Sequence, residues 1–289
     1  MAYGTGRAVG GRPFEVLRSE DLVHWRSAGG ALEPLAEPWA TDYWAPEVAA
    51  AEGRFFMYYS AGEGDRRHLI RVAVADAPEG PFADQGVVLT TGERFAIDAH
   101  PFRDDDGRWY LYYAHDVLDG ERVGTTVAVD RMLDMTRLEG RPRTLLRATA
   151  DWQRFRRDRE MYGGVWDWHT LEGPFVRKRG GRYFLFYSGG AWEEPGYGVS
   201  YAVADHPLGP FEEPVAGPVV LQTVPGRVLG PGHNTIVEGP DGDDWIVYHA
   251  WDAGRTARRM CIDRLVWGPD GPARSGPSWE PQLSPAARA

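Results

Sequence analysis

Short aromatic and aliphatic runs, each led by a turn glycine, recur along the chain. Gly53-Arg54-Phe55-Phe56-Met57-Tyr58-Tyr59-Ser60 returns as Gly107-Arg108-Trp109-Tyr110-Leu111-Tyr112-Tyr113-Ala114 and as Gly181-Arg182-Tyr183-Phe184-Leu185-Phe186-Tyr187-Ser188. A degenerate copy runs from Gly242 through Trp245-Ile246-Val247-Tyr248-His249-Ala250. Each is a turn signal followed by an apolar run of strand length. A second pattern trails the copies: Val72-Ala73-Val74-Ala75-Asp76 with Gly80-Pro81-Phe82, then Tyr201-Ala202-Val203-Ala204-Asp205 with Gly209-Pro210-Phe211. The period of about fifty to seventy residues holds one four-stranded sheet and its loops. Radial repetition of such sheets makes a β-propeller. The pattern thus predicts an all-β, five-bladed β-propeller whose blades start near residue 1, Trp44, Ile97, Thr170 and Gly232. Residues 2–6 match the second strand of a first blade, with further strands at 14–18 and 22–25, so that blade lacks its innermost strand. No stretch reads as a linker; residues 1–289 form one domain in this reading, with 275–289 a loose Pro-, Ser- and Ala-rich tail.

Composition adjusts this picture little. A 43% hydrophobic fraction is ample for a core, and 36 glycines with 22 prolines favour many short strands over long helices. Twelve tryptophans exceed core needs and suit stacking on sugar rings. The net charge of -10, without a basic patch, argues against nucleic acid as a partner. Cys261 is the only cysteine, which excludes an intramolecular disulfide and a cysteine-rich zinc site; it reads as a small buried apolar residue. No apolar run is long enough to span a membrane, and Met1 opens no secretory signal, so the chain as written reads as cytoplasmic.

The repeat also locates candidate chemistry. Counting back nine residues from the turn glycines Gly53, Gly107, Gly181 and Gly242 gives Trp44, Asp98, Glu172 and His233. Packing alone would put similar apolar residues at equivalent positions, yet three of these ionise. Glycoside hydrolysis needs a proton donor for the leaving oxygen and a second carboxylate across the scissile bond. Glu172 lies in Leu171-Glu172-Gly173-Pro174-Phe175 and Asp98 in Ile97-Asp98-Ala99-His100-Pro101-Phe102. Both contexts predict partial desolvation, which raises a carboxyl pKa toward the range of a general acid. Trp44 reads either as a sugar platform or as core, while Trp168 and Trp192, with Trp166, flank the Glu172 strand in Gly-rich loops that read as a binding rim. Asp104-Asp105-Asp106-Gly107 reads as a hairpin turn.

Trp44-Ala45-Pro46-Glu47-Val48, the Ile97-Asp98 strand, Glu172-Gly173-Pro174 and Gly230-Pro231-Gly232-His233-Asn234, in that order, resemble the motif series of glycoside hydrolase family 43. The resemblance covers the chain to about Gly268. It implies an inverting hydrolase of arabinose- or xylose-containing glycans, of the α-L-arabinofuranosidase or β-xylosidase type, with an oligo- or polysaccharide as its partner. It implies Glu172 as general acid and Asp98 as the residue that orients it. It implies substrate contacts from Arg258 or Arg259 and a channel position for His233, where many relatives hold a structural calcium; no cofactor is required. Imidazole is a poor calcium ligand, since that ion prefers oxygen. The family's general base is an aspartate on the innermost strand of blade 1. Tyr3-Gly4-Thr5 align with Tyr58-Tyr59-Ser60, so the repeat sets that strand and its base about a dozen residues before Met1. Asp21 and Asp42 do not occupy the equivalent position, and Asp42 reads as a loop residue. The rival expectation is therefore a non-catalytic carbohydrate-binding propeller.

Overall fold

A computed structural model describes residues 1–273 and 276–280. Two compact units divide the chain, residues 1–116 with 128–143 and residues 117–127 with 144–289. Among the described residues no helix is long and apolar enough to cross a membrane.

The first unit opens with a three-stranded sheet of β1 (Ala2–Gly4), β2 (Glu15–Arg18) and β3 (Arg26–Gly30). A four-stranded antiparallel sheet follows, in the order β4 (Asp42–Ala51), β5 (Arg54–Glu63), β6 (Arg66–Ala75), β7 (Ala83–Val88). Then come β8 (Ala96–Arg103), β9 (Trp109–Val117) and β10 (Gly124–Asp134), with β11 (Arg137–Leu138) and β12 (Arg143–Leu146) paired to β10. Strand β5 shows why the apolar runs do not alternate with polar residues. Phe56 and Tyr58 face a cluster with Val72, Val74, Leu111 and Tyr113, whereas Met57 and Tyr59 face Phe14, Val16, Leu32, Ala73 and Phe82. A strand buried on both faces reads as a continuous hydrophobic run. The tyrosine hydroxyls stay paired inside: Tyr58 donates to the Met135 carbonyl at 2.8 Å and Tyr59 to Asp84 at 2.6 Å.

The second unit contains β13 (Arg154–Met161), which hairpins into the sixteen-residue β14 (Gly164–Arg179), then β15 (Arg182–Gly189) and β16 (Gly198–Ala204). It ends with the three-stranded sheet of β17 (Leu229–Glu238), β18 (Asp244–Trp251) and β19 (Arg258–Arg264). The third and fourth repeats are joined by backbone pairing, because the start of β10 pairs in parallel with β14, Gly124 with His169 and Thr125 with Thr170. Gly124 has φ +148, and a β-carbon there would run into the backbone of His169, so this junction requires glycine. Of the tail expected at 275–289, residue 275 and residues 281–289 lie outside the described residues. Within 276–280, the Ser278 amide donates to the Asp263 carboxylate of β19 at 3.1–3.2 Å.

Candidate functional site

Each inner strand of the four later repeats carries a β-bulge at one place. The pairing skips a residue between Trp44 and Glu47, Ile97 and His100, Glu172 and Phe175, and Gly232 and Thr235. The residues just after the skip begins have left-handed backbones: Ala45 at φ 49, Asp98 at 59, Gly173 at 56 and His233 at 49. A bulge inserts one residue, bends the strand and re-aims its side chains.

This register corrects the equivalence expected from nine-residue counting. Strands β4 and β14 end in two-residue hairpins, Glu52-Gly53 and Gly180-Gly181, whose residues all have positive φ. Strands β8 and β17 end in five-residue turns between the pairs Arg103–Trp109 and Glu238–Asp244. The longer turn shifts the glycine by one position. Asp98 and His233 therefore occupy the bulge itself, while Trp44 and Glu172 stand one residue earlier, paired with Ser60 and Ser188. Bulges must be matched to bulges, and turn length hides them from a count.

Around Glu172 the second unit gathers a cluster. Glu172 is partly buried, and Tyr197 donates its hydroxyl hydrogen to Oε1 at 2.6 Å. Gly173 abuts His233: a β-carbon there would lie 3.1 Å from the imidazole Cγ. The His233 amide donates to Ser188 Oγ at 2.7 Å, which fixes its bulge. His249, opposite Gly232, stacks on Tyr197 at 5.8 Å and 11°. Burial, then Arg258 and His233, hold its imidazole well below the ordinary histidine pKa, so it is neutral. Arg258 Nη1 reaches His249 Nε2 at 3.5 Å and its guanidinium lies 4.6 Å from the Trp192 ring centre. Trp192 also stacks on Trp251 at 5.6 Å. Arg259 instead pairs with Asp252 in the β18–β19 loop at 3.4 Å, so of the two arginines it is Arg258 that joins this cluster.

Trp168 departs from expectation. It is 0% exposed, with its indole N–H donating to Thr125 and Arg159 over its ring, so it is core and not rim. The apolar surface of an indole in a tight parallel junction outweighs its Gly-rich neighbourhood in sequence. His233 stands near the neutral His249 imidazole. Among the described residues no three His, Cys, Asp or Glu side chains stand together as a metal site. Imidazoles do not fit calcium, an oxygen-seeking ion.

In the first unit Asp98 is 7% exposed. Trp44 packs against Phe95, Ile97 and Ala114 and lies flat on His68, ring centres 3.6 Å apart. His68 is held by Ser60 Oγ at 3.2 Å and the Gly64 carbonyl at 2.9 Å, and burial pushes its pKa down to about 4. His100 Nδ1 meets Glu47 Oε1 at 2.5 Å. Asp21 is committed to its own turn, accepting from the Val23 and His24 amides and pairing with the His24 ring. Asp42 braces a loop, accepting from the Gly64 amide and the Thr41 hydroxyl, both at 2.8 Å.

Sequence reasoning passed over Tyr197, His249, Trp251 and His68. One signal was available: His249 stands where the other repeats have Ser60, Ala114 and Ser188. A large polar ring in a slot for small residues marks a local role.

The model of the glycosyl hydrolases family 43 matches residues 2–272. The chain belongs to this family. It is 33% identical over 277 residues to the β-D-galactofuranosidase xynD of Aspergillus niger, covering 89% of this chain and 72% of that one. It is 29% identical over 223 residues to an extracellular exo-α-(1→5)-L-arabinofuranosidase of Streptomyces chartreusis, spanning 73% of this chain and 63% of that enzyme. Among solved structures, a thermostable family-43 glycoside hydrolase superposes with TM-score 0.86 at 33% identity, covering 99% of this chain and 92% of that one. An endo-1,4-β-xylanase from Bacteroides thetaiotaomicron gives TM-score 0.79 at 30% identity, with 96% and 91% covered. The fold class is all-β, that of the family's five-bladed propellers.

Proposed function

We propose that the family-43 chain is a glycosidase acting on arabinofuranosyl or xylosyl groups of glycans, by single-step inversion. Glu172 is the general acid, and Asp98 is the second carboxylate that the family resemblance implies. The carrying observation is the setting of Glu172: a partly buried carboxyl on a bulged inner strand, with a buried phenol fixed on one of its oxygens. The names of the two relatives support a furanoside substrate. In this mechanism the glycosidic C–O bond breaks as Glu172 gives its proton to the departing oxygen, and water enters from the opposite face of the sugar.

A second reading, a carbohydrate-binding propeller without turnover, is favoured by one observation. The two aspartates in and next to the first sheet, Asp21 and Asp42, each accept hydrogen bonds from backbone amides, which supports a loop-bracing role for both. General-base catalysis contributes about 10²–10⁴-fold. Aryl α-L-arabinofuranosides, β-D-xylosides and β-D-galactofuranosides decide between the readings, with the product anomer read by proton NMR. Turnover with inversion is expected. Glu172→Gln should then abolish hydrolysis of substrates with poor leaving groups and spare those with good ones more, since the acid matters as the departing oxygen needs protonation. Sugar binding without turnover selects the second reading.

A further inference from the structure

Tyr197 is held unusually well for a loop residue. It is 1% exposed at the end of the connection from β15 to β16. One face of its ring lies parallel to His249. Gly232 lies so close to the ring that a β-carbon would overlap Cε1, Cδ1 and Cζ. The Tyr197 amide donates to the Glu194 carbonyl at 3.2 Å, and the Glu194 amide to Ala191 at 2.8 Å. Farther along the loop, Trp251 donates its indole N–H to the Trp192 carbonyl at 2.9 Å, and Arg255 donates to the Glu193 carbonyl. Arg258 and Trp251 both lie against the Trp192 ring. The loop is thus fastened to the β18–β19 hairpin, and its last residue delivers a phenol O–H to Glu172 Oε1 at 2.6 Å.

We propose that Tyr197 is a positioning residue that sets both the orientation and the ionisation of Glu172; this rests on the reading of Glu172 as general acid. A donor fixed on Oε1 leaves the acid proton to Oε2. The carboxyl group cannot then rotate its proton away from the leaving oxygen without breaking the phenol bond. When Oε2 gives up that proton, the glycosidic electron pair stays with the departing oxygen, and the new carboxylate keeps the Tyr197 hydrogen bond. Hydrogen bonding to the charged form favours it. Polar groups near this pair include His233 beside Gly173, neutral His249 against the phenol ring, and Arg258 beside His249. His249 contributes packing without charge, and the phenol donates directly to Oε1.

The test uses the whole chain with glutamate carbons labelled at the side-chain carboxyl, the Glu172 resonance being assigned by Glu172→Gln. Tyr197→Phe keeps the ring stack and removes only the donor. The Glu172 titration midpoint should rise by about one pH unit, the size expected for a hydrogen bond to a charged group. The alkaline limb of kcat should move up by the same amount. Turnover of a substrate with a poor leaving group should fall about tenfold with KM unchanged. A purely structural tyrosine would lower Tm and leave the midpoint and the limb in place, which overturns the proposal. In the unmutated protein, the ζ-carbon shift of Tyr197 should follow the Glu172 titration and lose that inflection in Glu172→Gln; a flat trace also overturns it. If no aryl glycoside is hydrolysed, the acid role of Glu172 falls, while the two titrations still decide the Tyr197 coupling.

Discussion

A β-carbon at position 232 would run into the Tyr197 ring, which is held at two other places. His249 lies parallel to one face, and the hydroxyl is tied to Glu172. Gly232→Ala should therefore displace the phenol from the carboxyl group. Overpacking of this kind costs about 1–3 kcal/mol, and chemical denaturation should show a loss in that range. Turnover should fall as it does for Tyr197→Phe, with no change in the far-UV circular dichroism of the sheets. Stability unchanged by Gly232→Ala would show that the ring moves freely. Residues of this kind are hard to read in a sequence, because Gly232 looks like part of a flexible Gly-Pro-Gly stretch. Asp98 and Glu172, by contrast, stand out in the sequence, because each is a charged residue that interrupts an apolar strand shortly before a turn glycine. The two tryptophans of similar sequence neighbourhood part ways: Trp192 lies against Arg258, while Trp168 is core.

At the scale of the element, the bulge organises each inner strand, and its freed amide needs an acceptor. The solution recurs in both units. The Ala45 amide donates to the Thr5 hydroxyl at 2.8 Å, and the His233 amide to the Ser188 hydroxyl at 2.7 Å. Thr5 and Ser188 hold the same place in the repeat, as does Ser60, whereas the run from Gly107 ends there in Ala114. The two bonds differ in exposure, since Ser188 is 0% exposed and Thr5 is exposed. Leaving a buried donor unpaired costs about 1–3 kcal/mol, whereas water replaces an exposed hydroxyl. Ser188→Ala should thus lower unfolding free energy by that amount and loosen His233, while Thr5→Ala should cost well under half as much. Equal losses would refute the role of burial. The strands themselves were legible, because turn glycines and apolar runs fix them to within a few residues. The bulges were not: turns of two and of five residues both carry a glycine near their end, so only the pairing register separates Glu172 from the Asp98 slot.

For the whole molecule, acidity should set the limit of stability, and buried imidazoles set where it begins. Burial pushes the pKa of His68 down to about 4. Burial likewise lowers His249 and His169. Each is neutral when folded and protonates more readily when unfolded. Between the ordinary histidine value of about 6.5 and the depressed folded value, the unfolded chain binds more protons, so stability falls as pH falls. For His68 the difference corresponds to about 3 kcal/mol across that window. The net charge of -10 at pH 7 becomes less negative as accessible histidines and then carboxylates protonate, which eases self-repulsion, so an early loss is assigned to the buried imidazoles. Thermal midpoints measured from pH 7 to pH 4.5 should therefore drop steadily in the unmutated protein. His68→Gln should lower the midpoint at pH 7, because the stack on Trp44 is lost, yet flatten the slope between pH 6.5 and 4.5. A slope unchanged by His68→Gln would mean that the proton enters elsewhere and that the Trp44–His68 stack is indifferent to acid.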